Sequence, residues 1–370
     1  MRYCRKCVMP ETKPDLRIDE EGVCNACRSY ENRKVVDWDR RKIEFLAMIE
    51  RYSSKDGSNY DCMIPVSGGK DSTYQVLKLL ELGFNPLCVT ATTCQLSEIG
   101  RRNIENLKKL GVDYVEITIN PNVRAKINRI GLRQVGDISW PEHLTIFTIP
   151  PRLAVQFGVP LLIWGENSQN EYGGPASDAE NNVLTRRWLE EFGGLIGMRV
   201  TDLIGQDGLE AKDLIQFTYP SDEDLARVGV TGVFLGYYFP WDGYQNALVA
   251  QAYGFETLPT AIEGSLVNYF KYLKFGFCRV TDLACLHLRR GRLTRDQAIA
   301  IVKQRDGKFP WIYLGYPIQD VLKQIDMDLE EFIRICDRFT NKKLFKCDSR
   351  GNLIKDHHGN LTKINDDNVG

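Results

Sequence analysis

Between residues 60 and 166 short apolar runs alternate with stretches of helical period, and no other feature narrows the possible folds as far. The runs YDCMIPV (60–66), NPLCVTAT (85–92), VDYVEITI (112–119) and VPLLIWGE (159–166) have the length and composition of buried strands. Between them, residues 71–83 place Val76, Leu77, Leu79 and Leu80 on a helical pattern that Gly83 stops. Residues 96–111 repeat that pattern and again end in glycine, and residues 150–158 precede the fourth run as a further helix. Such alternation predicts an α/β protein with a parallel, doubly wound sheet, helices on both faces and right-handed crossovers. Ligands in sheets of this class bind at the carboxyl ends of the strands. That edge should hold the stretch after the first run, Thr90 to Thr93, and Gly165-Glu166-Asn167.

The stretch after the first run reads S-G-G-K-D-S, residues 67–72. A Walker A loop needs glycine five positions before Gly69 and Ser or Thr after the lysine. Ile64 and Asp71 stand there instead. What remains still suits phosphate. Ser67, Gly68 and Gly69 are small enough for backbone N–H groups to approach an anion at a helix N-terminus. Ser67 and Ser72 add hydroxyls, and Lys70 adds charge. Asp71 is the anomaly: a carboxylate that either helps to hold a hydrated magnesium ion or starts the helix.

Four of the 11 cysteines are grouped. Cys4 and Cys7 form one Cys-x2-Cys turn, Cys24 and Cys27 another, with 16 residues between. Each turn can aim two thiolates at one point, so the two predict a tetrahedral zinc site in a ribbon. So short a segment buries little apolar surface, and metal binding would supply much of its folding energy. Cys62, Cys88, Cys94, Cys278, Cys285, Cys336 and Cys347 are scattered, as small core residues are. The N-terminus has no signal-peptide apolar region, and no run reaches membrane-spanning length. These features lead us to expect a cytoplasmic protein with reduced thiols and no membrane partner. Its 48 basic and 49 acidic residues leave a net charge of −1, which argues against nucleic acid as a partner.

The expected order is a ribbon (1–32), a linker helix (33–57), the sheet domain (58–240), a helical region (241–347) and a tail (348–370). In the linker helix Ile43, Phe45, Leu46 and Ile49 fit one face. Residues 139–152 and 168–182 read as irregular, substrate-facing loops in which Trp140, His143 and Tyr172 stack on a base or sugar. For His143 a buried, hydrogen-bonded place is an equal alternative. The aromatic run 237–241 (YYFPW) reads as core that borders the substrate pocket. Thr294, with Asp296 and Gln297 after it, marks a helix start with a capping box. In the tail, RGNLIKDH followed by HGNLTKIN is a short tandem suited to a hairpin.

The S-G-G-K-D-S stretch between strand and helix resembles the PP-loop of the N-type ATP pyrophosphatases, which implies an adenine nucleotide alpha hydrolase-like domain. The likeness extends further. The four-cysteine ribbon, PVSGGKDS at 65–72, GEN at 165–167 and KYLKFGFCRVTDLACLHLRRGRLTRDQAIAIVKQRDG at 271–307 together resemble the N-acetyl sugar amidotransferase family. That family serves bacterial surface-polysaccharide pathways of the O-antigen, pseudaminic- and legionaminic-acid type, and the likeness runs from Met1 to about Phe345. It implies ATP and Mg2+ beside the zinc, with ATP cleaved between the α and β phosphates. It also implies a nucleotide-activated N-acetyl sugar as substrate and a separate glutaminase subunit that supplies ammonia. Lys70, Asp71, Glu166 and Lys274 are then the catalytic candidates. Ser67, Gly68, Gly69, Lys70, Asp71, Ser72, Thr90, Thr92, Asn167 and Arg279 are the cofactor-binding candidates. Each has a plainer alternative: a solvated loop for Glu166 and Asn167, a solvated helix face for Lys274 and Arg279, local strand-end bonds for Thr90 and Thr92. Two other functions compete with this one. The first is a PP-loop tRNA thiolase, disfavoured by the balanced charge. The second is a zinc-ribbon adaptor on a nucleotide-sensing domain, which would not turn ATP over.

Overall fold

The computed structural model describes residues 1–32, 35–92, 96–166, 183–184, 196–257 and 265–364. The chain divides into two compact units. One contains Met1–Val35, Gly131–Ile138 and Leu258–Gly370; the other contains Val36–Ile130 and Ser139–Thr257. The N-terminal ribbon and the helices from Leu266 onward therefore share a unit, whereas residues 241–257 are counted with the sheet.

The ribbon is built from two cysteine turns and one short helix, α1 (Asn25–Glu31), with isolated bridges Tyr3–Pro10 and Ile18–Cys24. The sheet unit opens with α2 (Trp38–Tyr52), whose N-cap Asp37 accepts from Arg40 N at 3.0 Å. Its strands are β1 (Cys62–Pro65), β2 (Pro86–Thr92), β3 (Asp113–Thr118), β4 (Leu161–Trp164), β5 (Val183–Leu184) and β6 (Thr231–Phe234), in the order β3-β2-β1-β4-β6-β5. The first four and β6 are parallel, as the alternation predicts, and β5 adds an antiparallel edge. The helices α3 (Lys70–Glu81), α4 (Glu98–Lys108), α5 (Pro121–Val135) and α6 (Trp140–Phe157) follow β1, β2 and β3 in turn. Further along come α7 (Asp222–Val228), α8 (Leu235–Tyr238) and α9 (Gly243–Ala252). The order reverses between β1 and β4, the switch point where such sheets open a ligand crevice.

One core gathers Cys62, Ile64 and Val66 of the β1 segment with Val76 and Leu79 of α3, Leu161 and Ile163 of β4, and Leu235, Tyr238 and Phe239. From α2 it takes Phe45 and Ile49, whose ring and side chain are fully buried, while Ile43 of the same helix lies exposed and Leu46 is only half-buried. The apolar face of α2 is thus narrower than the sequence suggests. Phe45 meets Tyr238 and Phe239 at 5.3 and 5.2 Å between ring centroids, so much of the YYFPW run is core.

Residues 139–152 are not a loop. They form most of α6, with Pro141 in the first turn, where a missing N–H costs nothing, and Pro150 and Pro151 inside the helix. Trp140 is fully buried at the helix start and has no open face for a base or sugar. His143 is half-buried in the first turn, its N–H donating to Ser139 O at 2.9 Å. Asn167, Tyr172 and the rest of the predicted loop 168–182 lie outside the described residues.

The C-terminal part of the ribbon's unit holds α10 (Leu266–Phe275), α11 (Arg279–Arg289), α12 (Arg295–Arg305), α13 (Ile318–Gln324) and α14 (Leu329–Phe339). The capping box at α12 forms, with Gln297 N on Thr294 Oγ1 and Thr294 N on Gln297 Oε1. The tandem in the tail makes two equivalent turns. Asp348 accepts from Arg350 N and Asn352 N at 2.8 and 2.9 Å, and Asp356 accepts from His358 N and Asn360 N at 2.9 Å each. Bridges Cys347–Leu353, Lys355–Leu361 and Phe345–Lys363 close the paired hairpins.

Gly307 shows how tightly this unit is packed. Its φ is +72°, and an added Cβ would lie 2.1 Å from the ring of Tyr272, itself buried against Phe345. Gly307→Ala is therefore expected to destabilise the chain by roughly 2–4 kcal/mol, from overpacking plus left-handed strain. Urea denaturation of the full chain measures it; an unchanged midpoint would contradict this packing.

Candidate active site and metal centre

The four ribbon cysteines converge. Their sulfurs all lie within 4.8 Å of one another and all four residues are buried. Cys4 Sγ and Cys27 Sγ are 4.0 Å apart, Cys7 Sγ and Cys24 Sγ 3.8 Å. A tetrahedral zinc with Zn–S bonds of about 2.3 Å separates its sulfurs by about 3.8 Å, so the donor set fits that ion. Backbone N–H groups of Cys7 and Cys24 point at Cys4 Sγ, at 3.4 and 3.2 Å, and would stabilise a thiolate. Hydrogen bonds among the sulfurs, from Cys27 first, hold the pKa of the Cys24 thiol below its ordinary value, which eases its ionisation to a metal ligand. The cluster is also part of a hydrophobic core. Val8, Met9 and Val23 pack with Phe277, Ala284 and Cys285 of the α11 segment and with Ala298 and Val302 of α12. Of the scattered cysteines, Cys62, Cys88, Cys278, Cys285 and Cys336 are buried and Cys347 is half-buried.

The loop 67–72 leaves β1 and enters α3 through a left-handed turn. Gly68 has φ +74°, and an added Cβ would sit 2.9 Å from the backbone nitrogen of Ile104 in α4. Only glycine fits between loop and helix there. Gly69 is the N-cap of α3 with no side-chain cap, so the helix presents its first N–H groups beside the loop. Ser67 Oγ accepts from Gly69 N at 3.3 Å. Ser72 is buried and braces the turn, its hydroxyl donating to Gly69 O at 3.0 Å and accepting from Ser67 N at 3.4 Å. Ser67 is exposed; Lys70 and Asp71 are half-buried.

Asp71 is held from two sides. One carboxylate oxygen pairs with Lys70 Nζ, and the other accepts from Asn246 Nδ2 at 2.9 Å. Asn246 is buried in α9, whose first residue, Gly243, lies so close that a Cβ there would be 3.1 Å from Lys70 Nζ. Sequence reading missed both residues, which lie more than 170 positions after the loop, and the helix sequence GYQNALVAQA carries no local signal that singles out Asn246. At the end of β4, Gly165 lets the ring of Trp241 approach; a Cβ would meet it at 3.2 Å. Trp241 also stands edge-on to Tyr74 of α3, at 5.5 Å. Glu166 follows directly, half-buried at the carboxyl end of β4.

Thr90 is buried within β2, in register with Glu116. Thr92 ends that strand, and its hydroxyl donates to Glu116 Oε1 at 2.9 Å. The loop, Thr92 and Glu166 thus share the carboxyl edge of one sheet. Lys274 and Arg279 belong to the other unit. There Lys274 Nζ donates to Val135 O at 2.7 Å, at the C-terminal end of α5, and stands 5.1 Å from the ring centroid of Phe339. Burial holds its pKa below the ordinary lysine value, against the pull of Asp137. A lysine in this position caps a helix end, which accounts for it without chemistry. Arg279 is the half-buried first residue of α11.

A parallel doubly wound sheet that turns through S-G-G-K-D-S into a helix is the fold of a PP-loop protein. At the other end of the chain, residues 245–357 match the model described as LPS biosynthesis protein WbpG-like, C-terminal domain. No curated protein matches the sequence. Among solved structures, an NH3-dependent NAD synthetase from Campylobacter jejuni subsp. jejuni NCTC 11168, in complex with the nitrate ion, is similar at 14% identity with a TM-score of 0.29. That likeness covers 60% of this chain and 99% of the synthetase. An NMN synthetase from Francisella tularensis is similar at 10% identity and a TM-score of 0.29, over 60% of this chain and 98% of that one.

The metal centre yields a direct test. Purified protein is expected to contain one zinc per chain, and Cys24→Ser to lose it, since the tetrahedral shell opens with one thiolate missing. Because α11 and α12 pack on the cluster, the mutant should also melt earlier. Full zinc content in the mutant by elemental analysis would count against the site.

Proposed function

We propose that the protein is an ATP-dependent amidotransferase of lipopolysaccharide biosynthesis. It converts an acetamido group of a nucleotide-linked N-acetyl sugar to an acetamidino group. The observation that carries this reading is the glycine turn at the N-terminus of α3, on a chain that bears a WbpG-like C-terminal domain.

An amide carbon resists ammonia because its oxygen leaves poorly. In the proposed reaction the amide oxygen attacks the α-phosphorus of ATP, expelling pyrophosphate and forming an O-adenylyl imidate. Ammonia adds to the imidate carbon, a proton is lost, and the carbon–oxygen bond breaks to release AMP. The acetamido oxygen leaves on AMP and the nitrogen of ammonia remains, so atoms balance. The chain's part is positioning and charge. The first N–H groups of α3 and the Lys70 ammonium face the departing pyrophosphate. Asn246 fixes Asp71, and Asp71 in turn fixes Lys70. Asp71 retains lone pairs beyond its two partners, which suits it, with Glu166, to hold water of a magnesium ion. That ion would supply further neutralisation of phosphate charge.

The charge balance supports a small-molecule substrate rather than nucleic acid. Among the described residues no helix is long and apolar enough to cross a membrane. Reduced cysteines and the use of ATP make the cytoplasm the proposed location. Ammonia is proposed to come from a separate glutaminase of the imidazole-glycerol-phosphate-synthase type, because the chain has no recognisable cysteine elbow with a His–Glu pair; its adjacent histidines, His357 and His358, sit in the tail turns.

With a panel of UDP-N-acetyl sugars, magnesium and ammonium, ATP should yield AMP and pyrophosphate. Lys70→Ala should slow turnover by about 100-fold or more with the fold intact. Formation of ADP and phosphate by the wild type would falsify the PP-loop reading, and turnover only with tRNA and a sulfur donor would replace it with a thiolase.

The nitrogen source is tested separately. The single chain should use ammonium salts at high concentration and not glutamine, until a glutaminase partner is added. Efficient glutamine-dependent turnover by the pure chain would refute the two-subunit arrangement.

A further inference from the structure

Among the described residues, Arg124 is a buried cation with no counter-charge. It is the fourth residue of α5, and only 8% of its surface is exposed. Its Nη1 donates to the carbonyl of Thr92 at 2.7 Å. Its Nε is buried and makes no hydrogen bond. No carboxylate pairs with it among the described residues. Glu116, the acidic residue of β3 at this edge, is already engaged: Arg101 grips it with two bonds of 2.9 Å, and Thr92 Oγ1 adds a third. Other arginines of the same unit have carboxylate partners: Arg101 with Glu116, Arg102 with Glu256, Arg129 with Asp207. All three are more exposed than Arg124, so among these four the most deeply buried arginine lacks a carboxylate partner among the described residues.

A buried, uncompensated charge costs several kcal/mol. A neutral donor would cap the Thr92 carbonyl equally well and would not leave a guanidinium nitrogen unsatisfied. The position gives a reason to keep the charge. Thr92 ends β2, the neighbour of β1, and β1 runs straight into the glycine loop. Arg124 thus reaches, from the first turn of α5, the same carboxyl edge that carries the phosphate loop.

We propose that Arg124 forms a second anion site on that edge, one that takes a phosphate group of a bound nucleotide. The planar guanidinium, with several N–H donors, matches phosphate oxygens better than a lysine would. The proposal rests on the amidotransferase reading only in naming two nucleotides that could supply the phosphate: ATP, or the diphosphate of a nucleotide sugar.

Calorimetric titration of the full chain, with magnesium, distinguishes them. The ligands are α,β-methylene-ATP, which cannot be cleaved at that bond, and UDP-N-acetylglucosamine. Arg124→Gln should weaken one of the two by about tenfold or more, equivalent to about 1.4 kcal/mol, and leave the other within about twofold. The ligand affected identifies the phosphate. Unchanged affinity for both in folded Arg124→Gln protein would overturn the site. If that variant does not fold, Arg124→Lys takes its place, keeping the charge and losing the planar fork, with a smaller loss of the same ligand expected; unchanged affinity for both again overturns the site. If the wild type binds neither nucleotide, the amidotransferase reading fails, and the site is judged with inorganic pyrophosphate alone. A thermal shift in the wild type that Arg124→Lys lacks supports the site; no shift, or equal shifts in both proteins, overturns it.

Discussion

Strand β1 has no face in water. Cys62, Met63 and Ile64 are all fully buried, and the strand is paired in parallel with β2 on one side and β4 on the other. A strand buried in this way needs cover on both faces of the sheet, which parallel connections supply through helices. Each right-handed crossover then sends the chain out at the carboxyl edge and back along a helix. The loop after β1, the end of β2 and Glu166 after β4 meet on one edge for this reason alone. The site follows from a requirement of the core and only afterwards from chemistry. The close approach of Gly68 to α4 has the same origin: a loop leaving the middle of a tightly covered sheet passes within contact distance of the next helix, where a side chain has no room.

The four-cysteine cluster plays a comparable part in the other unit. Its sulfurs do not hang from an independent appendage. They sit in one core with Phe277, Ala284, Cys285, Ala298 and Val302. The loss of a ligand would therefore reach beyond the ribbon, because the side chains that shield the sulfurs also pack α11 against α12. Burial has a second effect. It keeps water from the sulfurs, so the N–H groups of Cys7 and Cys24 become more effective partners for the thiolate of Cys4.

The strands and the loop were legible in the sequence because their signals are local. A run of buried residues, a glycine stop and a pair of Cys-x2-Cys turns each speak through neighbours in the chain. The failures share a cause too. Residues 139–152 read as a loop because they look irregular and mix polar with aromatic residues, yet burial of Trp140, Leu144, Ile149 and Leu153 outweighs the hydrogen bonds lost at the internal prolines and keeps α6 helical. Ile43 looked like a core residue because periodicity specifies a face but not its width, which depends on what packs against it. Lys274 looked catalytic as a charge in a family-like stretch; its contacts with Val135 O and Phe339 are tertiary and have no sequence signature. Arg124 went unnoticed because one arginine in an amphipathic helix is ordinary until its burial is known.

Asp71 is the place where local and distant information meet. Read alone, a carboxylate in a phosphate loop should repel the ligand. Its two partners change that. Lys70 offsets its charge, and Asn246 fixes its orientation through a hydrogen bond to a charged group, an interaction worth about 1.5–3 kcal/mol. The side chain of Lys70 is long and flexible, and anchoring its ammonium to a fixed carboxylate lowers the entropy that gripping an anion there would still cost. Asn246 itself lies within the segment that matches the WbpG-like C-terminal domain, although it folds with the sheet. That domain's first helix is therefore part of the loop's support: α9 packs on α3 and holds the acidic residue that holds the lysine. A Walker A loop, with Ser or Thr after the lysine, would have no use for an asparagine at this point, so Asp71 and Asn246 are best understood as one device, separated in sequence and joined by the packing of two helices.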